Sequence, residues 1–191
     1  MAKHSLSWLT PAVRQVQAEH MARLEQLYRT GAADRVVSVC GPGWGRHHGL
    51  WGTNGIDMLR QPELWLEHTL SDMAGRLDEA ADPVNFRPLC LELDCLGVHY
   101  VDALLGAEVR FHEGQVWNDP LPCRPGDLPA PDLSRSEVLR ASLRLARLAV
   151  EATRGMLPIA IPVTSCPINV GLNLFGERLL EAMGRDRKSV V

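Results

Sequence analysis

The chain has 191 residues, a formal charge of −3, 46% hydrophobic residues and 23% charged ones. This is the balance of an ordinary globular protein, and it gives no electrostatic case for nucleic acid or an anionic membrane surface as partner. No apolar stretch reaches the roughly 18 residues of a spanning helix, and the opening MAKHSLSWLT lacks the apolar core of a signal peptide, so the expected compartment is the cytoplasm.

The elements alternate along the chain. Thr10-Pro11 pairs an N-cap residue with proline at the first helical position, opening a helix to about Tyr28 that Gly31 ends. Arg35 to Cys40 (RVVSVC) reads as a first strand, followed by the glycine-rich loop Gly41 to Gly55. Pro62 starts a second helix in which Leu66, Leu70, Met73 and Leu77 share one apolar face. The apolar run Pro88 to Leu93 ends in Asp94. A glycine-containing turn and a short helical segment ending at Leu105-Gly106 come next.

Glu108 to Asn118 alternates around Glu113-Gly114, which predicts a small hairpin. Pro120 to Pro131 is loop. Ser134-Arg-Ser-Glu137 has the pattern of a capping box for a helix to about Arg154, closed by Gly155. Met156 to Thr164 (MLPIAIPVT) reads as another buried strand, and Ser165-Cys166-Pro167 turns into a last helix ending near Met183.

Strands that are apolar throughout and alternate with helices are the signature of a parallel α/β sheet. Three such strands are too few for a (β/α)8 barrel, which needs about 250 residues. A small open sheet and the front part of a barrel both fit the pattern. The five cysteines (Cys40, Cys90, Cys95, Cys123 and Cys166) contain no CxxC pair and are odd in number. They read as small core residues in a reducing compartment rather than a disulfide framework.

From about Pro11 to Met183 the chain resembles the uroporphyrinogen decarboxylase-like superfamily, which includes the decarboxylases and the related corrinoid-linked methyltransferases. The marks are the opening helix running into Asp34-Arg35-Val36-Val37, then Gln61-Pro62-Glu63, Leu104-Leu105-Gly106-Ala107-Glu108-Val109, Val163-Thr-Ser-Cys-Pro167-Ile-Asn169 and Leu174-Phe-Gly-Glu-Arg-Leu-Leu180. The resemblance implies an α/β fold: a partial (β/α)8 TIM barrel, the N-terminal half, with parallel strands and a small hairpin extension. Residues 1–185 would form that portion. Asp186 to Val191 (DRKSVV) resembles a translated sequencing-adapter read-through and is expected to be a non-native tail.

The resemblance also implies roles. Asp94 corresponds to the aspartate that accepts hydrogen bonds from the pyrrole N–H groups and stabilises the protonated pyrrole; an ionised carboxylate is acceptor-only and takes several donors. Helix capping or a buried salt bridge is the competing role for Asp94. The loop after the first strand holds substrate carboxylates in the decarboxylases through two arginines. Here it carries Arg46 with His47 and His48, histidines suited either to acid/base work or to a solvated loop.

Asn173 stands near the family's substrate-positioning tyrosine, and Asn169 can orient a polar group or cap a helix. His99 and Tyr100 are candidates for lining the same cleft, or for plain packing. Arg140, Arg144 and Arg147 read as the wet face of a helix.

Decarboxylation needs no cofactor. Methyl transfer would need zinc and a corrinoid protein partner, and the zinc ligands of that branch belong to a second barrel half that this sequence does not contain. The expected substrate is a small tetrapyrrole-related or methylated molecule. A non-catalytic ligand-binding or partner-binding module is the reading from another class. Half a barrel would leave strand edges open, which predicts homo-oligomers or aggregation.

Overall fold

The computed structural model describes residues 6–32, 38–39, 57–78, 85–86, 89–93, 96–112, 115–160, 162 and 164–185. It is an α/β protein with more helix than strand. Helix α1 spans Pro11–Thr30. Thr10 accepts from the Val13 N–H at its start, and Gly31 closes it in the left-handed region (φ 69°). That conformation costs glycine little because it has no Cβ. Helix α2 (Pro62–Gly75) again begins at a proline, and it buries Trp65, Leu66, Thr69, Leu70 and Met73 along one side.

Strand β1 (Ser38–Val39) pairs in parallel with β2 (Asn85–Phe86), with α2 lying between them in the chain. Strand β3 (Leu91–Glu92) pairs in parallel with β6 (Ile159–Ala160) in the register Leu91↔Ile159. Asn85–Phe86 thus pair with β1, and Leu91–Glu92 with β6. Between β3 and β6 lie a 3-10 turn (Gly97–His99), helix α3 (Tyr100–Leu104), the antiparallel hairpin β4 (Val109–His112) and β5 (Gln115–Asn118), and helix α4 (Glu137–Thr153). Helices α5 (Pro167–Phe175) and α6 (Glu177–Arg185) follow β6.

Two apolar clusters hold these elements. In the larger one, Trp65, Leu66 and Met73 of α2 and Leu145 and Ala149 of α4 close on Leu91 of β3, all of them fully buried, with Met58 and Leu157 beside them. The smaller one joins Ala107, Leu174 and Phe175, with Leu105, Leu121 and Leu179 at its margin. Arg140, Arg144 and Arg147 lie on the exposed side of α4, and Arg144 bridges to Glu63 of α2 at 3.0 Å. The Glu63 carboxyl is held below its usual pKa, first by a backbone hydrogen bond and then by the Arg144 side chain.

Two expectations are corrected. The cap of α4 is Ser136, whose side chain accepts from the Leu139 N–H; Ser134 instead sits in a 3-10 turn whose start is capped by Asp132. The single last helix is two, because Gly176 (φ 59°, ψ −140°) leaves the helical region. The strands expected over Arg35–Cys40, Pro88–Leu93 and Met156–Thr164 appear among the described residues as two-residue ladders.

Leu145 and Leu143 are neighbours on α4 with opposite surroundings, the first fully buried and the second 48% exposed. Leu145→Ala is expected to cost about 2–5 kcal/mol of unfolding free energy through lost burial and a residual cavity. Leu143→Ala should stay within about 0.5 kcal/mol. Urea unfolding of the two variants checks this; equal losses would mean that α4 packs through another face.

Candidate functional site

Beyond β3, the turn at Gly97 brings together a buried polar group of three side chains. Gly97 adopts φ 54°, which lets the chain close a tight turn, and the His99 N–H bonds the Leu96 carbonyl at 3.1 Å. His99 is therefore the residue from which α3 starts. Residues three apart on a helix face are neighbours, so Asp102 falls against the imidazole. The His99 Nδ1 to Asp102 Oδ2 distance is 2.9 Å. Asp102 is completely buried and His99 nearly so.

The second arm comes from α5, beyond β6. Asn173 donates from Nδ2 to the same oxygen, Asp102 Oδ2, at 2.8 Å. The Asn173 amide nitrogen and His99 Nδ1 are 3.4 Å apart. That spacing follows from two N–H donors converging on one carboxylate oxygen. Towards an ionised carboxylate, which only accepts, His99 Nδ1 acts as the N–H donor. Asp102 Oδ1 is buried with no hydrogen-bond partner among the described residues, as is Asn118 Oδ1. The Asp102 backbone is pinned too, its carbonyl accepting from Leu105 and Ala107.

Buried carboxylate, oriented imidazole and amide together make a unit able to take up and return a proton at His99 Nε2. The carboxylate holds the ring in one orientation, and the amide fixes which oxygen faces it.

Of the residues anticipated from sequence, His99 and Asn173 meet here. Tyr100 is turned into the larger apolar cluster, and Asn169 is exposed near the start of α5. Asp94, Arg46, His47 and His48 lie outside the described residues. Asp102 was not anticipated, although a histidine and an aspartate three residues apart at a helix start were the available signal. Among the described residues no three His, Cys, Asp or Glu side chains group to hold a metal ion, and no helix is long and apolar enough to cross a membrane. Comparison with family models, curated proteins and solved structures gives no match.

A cavity of about 350 Å³ lies at the opposite, N-terminal end of β3 and β6, lined by Leu9, Met21, Leu89, Cys90, Met156 and Leu157 among others. Burial first, and then the nearby Glu92 carboxylate, push the Cys90 thiol from 9.0 up to about 11. The neutral thiol is thereby favoured, so Cys90 is a lining group rather than a nucleophile.

The unfolded chain ionises this thiol before the folded one does. The stabilisation from keeping Cys90 neutral is therefore complete below about pH 9 and is lost as pH rises to about 11. At pH 8 a shift of that size lowers the thiolate fraction about 100-fold. Iodoacetamide labelling read by mass spectrometry should modify exposed Cys166 at least ~100-fold faster than Cys90. Equal rates would contradict the burial.

Proposed function

We propose that the chain is the N-terminal half of a uroporphyrinogen decarboxylase-like barrel whose parent enzyme removes carboxylate from a tetrapyrrole-related substrate. One observation carries this reading. His99 and Asn173 reach one buried carboxylate from segments that follow β3 and β6, two paired parallel strands. Barrel enzymes gather their chemistry beyond the C-terminal ends of neighbouring strands.

Loss of CO2 from an acetate side chain replaces a C–C bond by a C–H bond and consumes one proton. His99 takes a proton from solvent at Nε2 and delivers it to the carbon that loses CO2, while Asp102 faces the imidazolium formed in between and Asn173 holds the carboxylate in place. Asp94, two positions beyond β3, would accept the pyrrole N–H groups, and Arg46 with His47 and His48 would meet the substrate carboxylates. The apolar residues Ile168 and Leu172 of α5 and Leu180 and Met183 of α6 are exposed. The second barrel half would cover apolar side chains of this kind, and without it the chain self-associates.

Titration with uroporphyrin, a stable oxidised analogue, followed by quenching of its fluorescence tests the reading. Saturable binding is expected, weakened about 10-fold by His99→Ala and by Asn173→Leu, which corresponds to about 1.4 kcal/mol. Sedimentation of the same sample should show species larger than a monomer. Binding of methylcobalamin instead of the porphyrin would favour a zinc-dependent methyltransferase, whose metal ligands would come from the second half. A strictly monomeric chain that binds neither compound would overturn the enzyme reading in favour of another class of module.

A further inference from the structure

The last turn of a helix leaves carbonyl groups with no partner inside the helix. In α5 these belong to Asn173, Leu174 and Phe175, because Gly176 stops the helix directly after them. Each is taken from outside. Asn118, the last residue of β5, donates its side-chain amide to the Asn173 carbonyl at 2.8 Å. The Leu121 N–H donates to the Leu174 carbonyl at 2.7 Å. Arg178 donates from Nε to the Phe175 carbonyl at 3.3 Å.

Arg178 does more than cap. Its Nη1 donates to the carbonyls of Pro122 and Cys123, both at 3.0 Å, and its Nη2 to that of Leu121. The guanidinium therefore gathers three successive loop carbonyls and ties them to the end of α5. Among the described residues it pairs with no carboxylate. Its charge is spent entirely on backbone dipoles, and the planar fork is what allows four such bonds at once.

We infer that Arg178 is a positioning residue for Asn173, and through it for His99. The loop leaving the hairpin is docked on α5 by Arg178, which sets Leu121 of that loop, and Asn118 at the strand end just before it, against the helix end that carries Asn173. Asn173 is consequently gripped at both ends, by Asn118 on its backbone carbonyl and by Asp102 on its side chain. When the loop is released the amide drifts, Asp102 Oδ2 loses one of its two donors, and the imidazole loses its fixed partner geometry. This inference rests on His99 being the reactive group of the site.

The test is 15N NMR of histidine-labelled protein, which reads the tautomer of each imidazole. In the unaltered chain, neutral His99 should show the Nδ1–H pattern. Arg178→Met, which keeps the aliphatic stem and removes the donors, should shift His99 towards tautomer-averaged resonances while the buried His20 of α1 stays put. Arg178→Lys should recover only part of the pattern.

Asn118→Ala removes a single bond to Asn173 and should give the same His99 shift in smaller degree, which keeps the inference testable if Arg178→Met does not fold. Asn173→Leu is the reference for complete loss. If Asn173→Leu moves His99 and the Arg178 and Asn118 variants do not, the positioning inference fails and the site reading stands. If Asn173→Leu also leaves His99 unmoved, both fail.

Discussion

A fully buried carboxylate is costly unless hydrogen bonds replace the water it has lost. Asp102 meets that requirement at Oδ2, through two donors, His99 Nδ1 and Asn173 Nδ2, while Oδ1 has no partner among the described residues. These donors come from different parts of the chain, one from the turn after β3 and the other from α5 after β6. The carboxylate thus stitches together segments that the parallel ladder β3–β6 only brings to the same end. Losing either donor would leave the charge under-compensated in an apolar setting, so the arrangement specifies where α5 must lie as well as how the imidazole points.

The rest of this region is organised to keep that stitch in register. Gly97 and Gly106, with φ values of 54° and 96°, bracket the segment bearing His99 and Asp102. The small apolar cluster of Ala107, Leu174 and Phe175 seats α5 beside it. Gly171 admits Leu179 of α6 so closely that a Cβ there would stand 2.7 Å from a methyl carbon of that leucine, which keeps α5 and α6 tightly folded on each other. The polar caps at the end of α5 add direction to this packing, since apolar contact alone does not fix a helix about its own axis.

Much of the scaffold was legible in the residues. Thr10-Pro11 and Gly31 bracket α1, Pro62 opens α2, and Leu66, Leu70 and Met73 of the expected face are buried, while Leu77, the fourth, lies beyond the end of α2 and is half-buried. Alternation around Glu113-Gly114 gave the hairpin. The start of α4 misled because Ser134 and Ser136 are both capping residues, and the choice is made by Asp132, which captures the Ser134 N–H and hydroxyl. The break at Gly176 misled because the apolar pattern continues across it, whereas the interruption is set by backbone conformation.

The site was harder to read than the scaffold. His99 and Asn173 were singled out separately, but nothing in the chain order pairs residues 74 apart. Asp102 sits in the middle of an apolar-looking helical segment, where its partner becomes evident only once the turn at Gly97 is formed. The most direct measurement is a double-mutant cycle in urea between Asp102→Ala and Asn173→Ala. The account predicts a coupling of about 1.5–3 kcal/mol, the range for a hydrogen bond to a charged group. Effects that add to within about 0.3 kcal/mol would contradict it.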